Sequence, residues 1–148
     1  MKKWELYYLI PAAPVTKKNS QQILTNKATG RAFVMPSKQY REYEATAGYF
    51  LQPKPKNGPI TEPVNVTYLF YMPTRRKVDV ANLISAADDI LVKYGILADD
   101  NRDIIAGHDG TRVHYDKANP RTEIVISPIP EIYLQWKPLP QQEGGPEI

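Results

Sequence analysis

The sequence predicts one small domain that mixes strands with two main helices, and three observations carry this. The length of 148 residues suits a single domain able to bury its own core. Runs rich in aromatic and β-branched residues recur at 4–10, 64–72 and 122–127. An amphipathic stretch at 80–94 carries apolar residues at helical spacing.

Each element follows in order. Residues 4–10 read as the first strand, ended by Pro11 and Pro14. Thr16-Lys17-Lys18-Asn19-Ser20 reads as a basic loop. Residues 26–31, containing Gly30, form a turn into a short strand at 32–35. Ser37 is placed to N-cap a helix over 38–51, and a Pro/Lys/Gly connector follows at 53–59. In 64–72 the alternation puts Val64, Val66, Tyr68 and Phe70 on one face. Leu83, Ala87, Ile90, Leu91 and Tyr94 make one apolar stripe on the next helix, with Asp79 as N-cap and Gly95 just past its end. Residues 103–108 offer a further strand and 122–127 a clear one. Beyond 128 the chain turns Pro-rich, with Pro130, Pro138, Pro140 and Pro146 around Gly144-Gly145. The domain is therefore expected over 1–128. The tail, 129–148, is expected to be extended or partly disordered, with Tyr133 and Trp136 able to pack on the body or on a second subunit.

Composition excludes several chemistries. There are no cysteines, which removes disulfides, zinc-thiolate sites and thiol nucleophiles and suits a reducing cytoplasm. The two histidines, His108 and His114, are too few for a multi-histidine metal site. The opening Met1-Lys2-Lys3-Trp4 is faintly like a signal peptide, but Glu5 and Pro11 interrupt the apolar run. No apolar run approaches the ~20 residues that span a bilayer. Net charge is +3 but unevenly laid out: residues 1–77 carry +9 and residues 78–148 carry −6. A basic front half with an acidic centre fits a protein that grips a polyanion and holds a cation.

The chemistry concentrates around the second helix. Asp79 stands just before it and Asp100 just after, and a helix with acids at both ends can fold back to bring them together. Clustered carboxylates beside Arg75-Arg76-Lys77 suggest a divalent metal next to a phosphate. Asp79 alone is explained as a helix cap, and Asp99-Asp100 alone as a solvated loop. A calcium-binding EF-hand loop from Asp99 fails, because its sixth position is Ile104 and its twelfth Gly110. Ala81, Ser85 and Asp88 share a polar side of the helix, which makes Asp88 a secondary candidate, while Asp89 is expected to be solvated. Lys17 and Lys18 are looser phosphate candidates beside Arg75, Arg76 and Lys77. His108-Asp109 suggests a general base pair, but an Asp109-Gly110 turn explains it as well.

At these residues the chain resembles the RusA-type Holliday junction resolvases, endodeoxyribonucleases often carried by phages and prophages. The family pattern is a basic run, Asp-x-Asp-Asn-Leu, an amphipathic helix, Gly-x-Leu and a closing Asp-Asp. Here it is matched by Arg75-Arg76, Asp79, Asn82, Leu83, Gly95, Leu97, Asp99 and Asp100. The segments 14–20 and 108–113 are similar to phage-type members, and the resemblance covers roughly residues 5–127.

The resemblance implies an α+β fold, a small mixed sheet packed with two main helices. It implies a homodimer with two active sites that use magnesium or manganese, and paired nicks in a four-way DNA junction. Asp79 and Asp100 would be the catalytic acids and metal ligands, with Asp99 and Asp88 as further metal candidates. Arg75, Arg76, Lys77, Lys17, Lys18 and Asn82 would contact DNA. Magnesium needs few protein carboxylates, so two acids can suffice.

Two positions depart from the pattern: the second acid falls at Ala81 and the helix lysine at Ser85. Three explanations stand open. Asp88 or Asp99 completes the site, Ala81 is an engineered inactivating change, or this branch is a weak or inactive nuclease. The rivals are accordingly a branched-DNA-binding protein that does not cut and, from another class, an interaction protein that uses the Pro-rich tail.

Overall fold

The computed structural model describes residues 3–17 and 21–130, without the side chains of Gln21 and Gln22. Lys18 and the tail from residue 131 lie outside the described residues, as does what was expected of them. In chain order the elements are β1 (Leu6–Ile10), β2 (Gln21–Thr25), β3 (Ala32–Pro36), α1 (Lys38–Phe50), β4 (Val64–Met72), α2 (Val80–Lys93), β5 (Ile105–Gly107), β6 (Arg112–Tyr115) and β7 (Arg121–Pro128).

The main sheet is mixed. β7 lies between β1 and β4 and runs antiparallel to both, while β5 and β6 both pair parallel with the outer side of β4. The chain leaves β4, crosses through α2 and returns alongside β4, as a parallel pairing requires. β5 and β6 act as one interrupted edge strand. Across the break Tyr68 N–H donates to Thr111 Oγ1 (3.1 Å), and Thr67 Oγ1 and Asn65 Nδ2 donate to the Asp109 carbonyl (2.7 and 3.1 Å). This fixes the 108–111 turn to the sheet, and the Asp109-Gly110 turn read from sequence is present.

Alternation decides which face is buried. Val64, Val66, Tyr68 and Phe70 of β4 point inward with Ile124 and Ile126 of β7 and Tyr8 and Ile10 of β1. Both helices cover that face, through Tyr40, Tyr43, Ala47 and Leu51 near α1 and through Leu83, Ala86, Ala87, Ile90 and Leu91 of α2. Tyr43 Oη bonds Thr122 Oγ1 (3.0 Å) inside the core, and burial pushes the Tyr43 phenol up to about 12.

The helix ends follow the sequence reading. Ser37 Oγ accepts from Tyr40 N–H (3.1 Å) and Asp79 Oδ1 from Ala81 N–H (2.9 Å). Tyr94 caps the C-terminal end of α2, and Gly95 follows at φ +75°, the left-handed value that favours glycine. β2 and β6 are additional to the expected strands, and the expected strand at 103–108 is shorter. No helix among the described residues is long and apolar enough to cross a membrane.

Candidate functional site

α2 sets the geometry of the candidate residues. At its N-terminal end the 73–79 loop leaves β4 and presents Arg75, Arg76 and Lys77 to solvent. The Arg75 guanidinium lies over the Tyr115 ring of β6, 4.1 Å from its centre. A guanidinium held flat on an aromatic face keeps in-plane donors for a phosphate and loses less freedom on binding one. Asp79 follows as the cap, Asn82 is half-buried one turn on, and Ala81 and Ser85 are exposed. Lys17 is half-buried in the loop after β1. Arg121, by contrast, stacks on Tyr71 at 3.7 Å and is tied to Asp116 (2.9 Å) and Glu123 (3.4 Å), which gives it a role within the sheet surface.

Past the other end of α2 the chain folds back. Ile96 N–H and Leu97 N–H both reach the Leu91 carbonyl, and Leu97 bridges to Ile60, so the turn is fastened to the connector just before β4. The exposed Asp99-Asp100 pair comes next. Asp99 Oδ1 accepts from Asp100 N–H at 2.7 Å. That bond and the Asp100 carboxyl hold Asp99 below the ordinary aspartate range. The Asp99 carboxyl, then burial and the charges of Asp99 and Asp89, raise Asp100 above it. Two adjacent carboxylates disfavour each other's charge, which a cation would relieve.

Asp100 lies within electrostatic reach of Asp99 and Asp89. Asp79 caps the opposite end of α2, and Asp89 lies roughly 15 Å further along the axis at the usual rise per residue. The Asp79 cap and the Asp99-Asp100 pair thus flank opposite ends of α2, and their meeting at one cation belongs to the proposed site. Asp89, which the helical pattern assigned to solvent, is half-buried and acts electrostatically on Asp100, Tyr40 and Tyr68.

Asp88 also differs from its expected outward placement. It is buried, at 8% exposure, and its Oδ1 meets Tyr68 Oη (2.6 Å) and His108 Nε2 (3.0 Å). The His108 ring stacks on Tyr68 with centres 5.8 Å apart and closes this side of the helix. The polar face is thus open at Ala81 and Ser85 and covered at Asp88. His108 pairs with Asp88, on a different element from its neighbour Asp109. Burial, followed by the Asp88 charge and bond, drives the Tyr68 phenol far up.

The donor set suits a hydrated hard cation better than a full protein cage. Magnesium takes one or two carboxylates, waters and phosphate oxygens. Among the described residues no three His, Cys, Asp or Glu side chains stand close enough to enclose a metal. The exposed, adjacent Asp99-Asp100 pair fits the two-carboxylate pattern.

With this geometry in place, residues 11–127 match the family model of endodeoxyribonuclease RusA. The chain belongs to the RusA endodeoxyribonuclease family. No curated protein matches the chain. The RusA match runs from just after β1 to the penultimate residue of β7 and takes in the basic loop, both helices and the Asp99-Asp100 pair. In RusA terms both departures, Ala81 and Ser85, sit on the exposed first turns of α2 beside Asp79.

Proposed function

We propose that this chain is a divalent-metal-dependent, structure-selective endonuclease that resolves four-way DNA junctions by paired nicks. The observation that carries the reading is the RusA family match across residues 11–127, which includes both acid positions and the basic loop before α2. Asp79 and Asp100 are the proposed catalytic carboxylates. Asp99 shares the cation with Asp100, and Asp88 is the least accessible of the four metal candidates. Bound magnesium or manganese would lower the pKa of a water and stabilise the leaving 3′ oxygen. Arg75, Arg76 and Lys77 steady the phosphates on either side of the cut, Asn82 and Lys17 add contacts, and Lys18 joins them on sequence grounds. A homodimer belongs to this reading. A two-fold axis that runs two copies of α2 antiparallel sets the Asp79 end of one beside the Asp100 end of the other.

The test is strand cleavage of a labelled four-way junction beside a matched duplex, with magnesium and with manganese. Symmetric nicks in the junction alone, lost in Asp100→Asn, are expected. Cleavage that survives this substitution would overturn the assignment. A second reading, a junction-binding protein that does not cut, draws on Ala81 and Ser85 at the exposed start of α2. It predicts metal-independent junction binding without product, and cutting gained in Ala81→Asp.

A further inference from the structure

The β2–β3 ribbon stands apart from the sheet that organises the rest of the fold. Among the described residues its strands pair only with each other, in the register Ile23↔Val34 and Leu24↔Phe33. Side chains alternate across a ribbon, so Ile23 and Val34 share one face and Leu24 and Phe33 the other. Among the described residues neither face is covered: Ile23 is 78% exposed, Val34 58%, Phe33 44% and Leu24 39%. A lone two-stranded ribbon is marginal in water, and exposed apolar side chains on both faces call for a partner.

The tip is ordered. Asn26 Oδ1 accepts from Ala28 N–H (2.9 Å) and Thr29 N–H (3.3 Å), and Gly30 N–H reaches the Asn26 carbonyl (2.8 Å). Gly30 takes φ +70°, which closes the turn without strain. Lys27 and Arg31 flank this turn, both exposed. Charge identifies the partner. Residues 6–41 contain Lys17, Lys18, Lys27, Arg31, Lys38 and Arg41 and not one Asp or Glu. A two-fold contact through the ribbon would set these cations against their own copies. A polyanion meets them favourably, and a two-stranded ribbon has the width of a DNA major groove.

We propose that the β2–β3 ribbon is a DNA-engaging arm, with Lys27 and Arg31 on phosphates and the Ile23–Val34 face against bases exposed at a branch point. The inference rests on the nuclease reading and adds to it a second contact surface, remote in sequence from the Asp79 and Asp100 motifs. Apolar side chains inserted at unstacked steps are a general means of reading deformed DNA. A branch point offers such steps and a continuous duplex does not.

The experiment measures binding of the full chain to a four-way junction and to a linear duplex across a salt series, with calcium in place of magnesium. Lys27→Ala with Arg31→Ala is expected to weaken binding to both DNAs about tenfold and to lower the salt slope by about two. Ile23→Thr with Val34→Thr keeps β-branched strand formers. It is expected to reduce the preference for the junction about tenfold and leave duplex binding in place. Urea midpoints should stay near wild type, since the ribbon pairs with no strand of the core sheet. Wild-type affinity and salt slope in both double variants would overturn the arm and leave the nuclease reading standing. Loss of dimer in sedimentation velocity would overturn it in favour of a subunit contact. Failure of the wild-type chain to bind either DNA would overturn both readings.

Discussion

Tyr68→Phe isolates the buried bond that gives Asp88 its place. The substitution removes one oxygen and leaves the ring packing on Phe70 and His108 intact. What is lost is the 2.6 Å bond to Asp88 Oδ1, made by a fully buried phenol to a carboxylate. Hydrogen bonds to charged groups contribute about 1.5–3 kcal/mol, and among the described residues the carboxylate left behind keeps His108 alone, so the loss should be about 2 kcal/mol. At a urea dependence of about 1–3 kcal/mol per M the midpoint should fall by roughly 1 M at unchanged slope. Tyr40→Phe supplies the control. It makes the same chemical change at another core tyrosine, whose Oη has no hydrogen-bond partner among the described residues. That variant should be neutral or gain up to about 1 kcal/mol. A Tyr68→Phe midpoint within error of wild type, or an equal loss in both variants, would refute the reasoning. The same variant tests function. If Asp88 serves the fold, Tyr68→Phe cleaves normally per folded molecule. If Asp88 holds metal, changing its bond partner shifts the magnesium concentration for half-maximal cutting.

Gly48→Ala should destabilise although it improves helix propensity by about 1 kcal/mol, because the added Cβ would stand 2.3 Å from the Tyr94 ring and force it to shift. Chemical denaturation should show the loss, and a Tyr94→Ala background should turn it into a gain. Asp99, held low by its bonds from Asp100, contributes stability above the ordinary aspartate pKa and loses it as pH falls below that value. Asp100, held high by Asp99, disfavours the fold as pH rises through its raised value. Magnesium should therefore raise the melting temperature more at pH 7 than at pH 4, and Asp100→Asn should flatten that difference. Arg75→Ala should lower the salt slope of junction binding by about one at unchanged stability. A slope equal to wild type would count against phosphate contact at the Tyr115 platform.

How far the sequence could be read depended on whether an element's neighbours lay within its own pattern. The Leu83, Ala87, Ile90 and Leu91 stripe was legible because helical period and burial coincide. The caps at Ser37, Asp79 and Gly95 were legible because each acts on backbone groups a few residues away. β4 was legible because both its neighbours and the helices above it demand strict alternation. β6 was not: Arg112-Val-His-Tyr115 pairs on one side only and buries little, so no apolar alternation marks it. β2 likewise answers only to β3.

The candidate site divided along the same line. The RusA motif could be recognised residue by residue, yet where its acids stand depends on α2 as a spacer and on what packs beside it. Polarity along the helix marks Asp88 as outward, because a helical wheel contains no information about Tyr68 and His108. A signal was nevertheless present. Tyr68 occupies an inward position on β4, and a core phenol needs an acceptor. The polar residues that can reach that face are few, and Asp88 is the one that a helix crossing β4 brings there. Read this way, an apparent site carboxylate on the helix becomes a buried partner demanded by the strand. Asp99 and Asp100 answer to no such demand from the core, which leaves them, with Asp79, as the acids proposed for the cation.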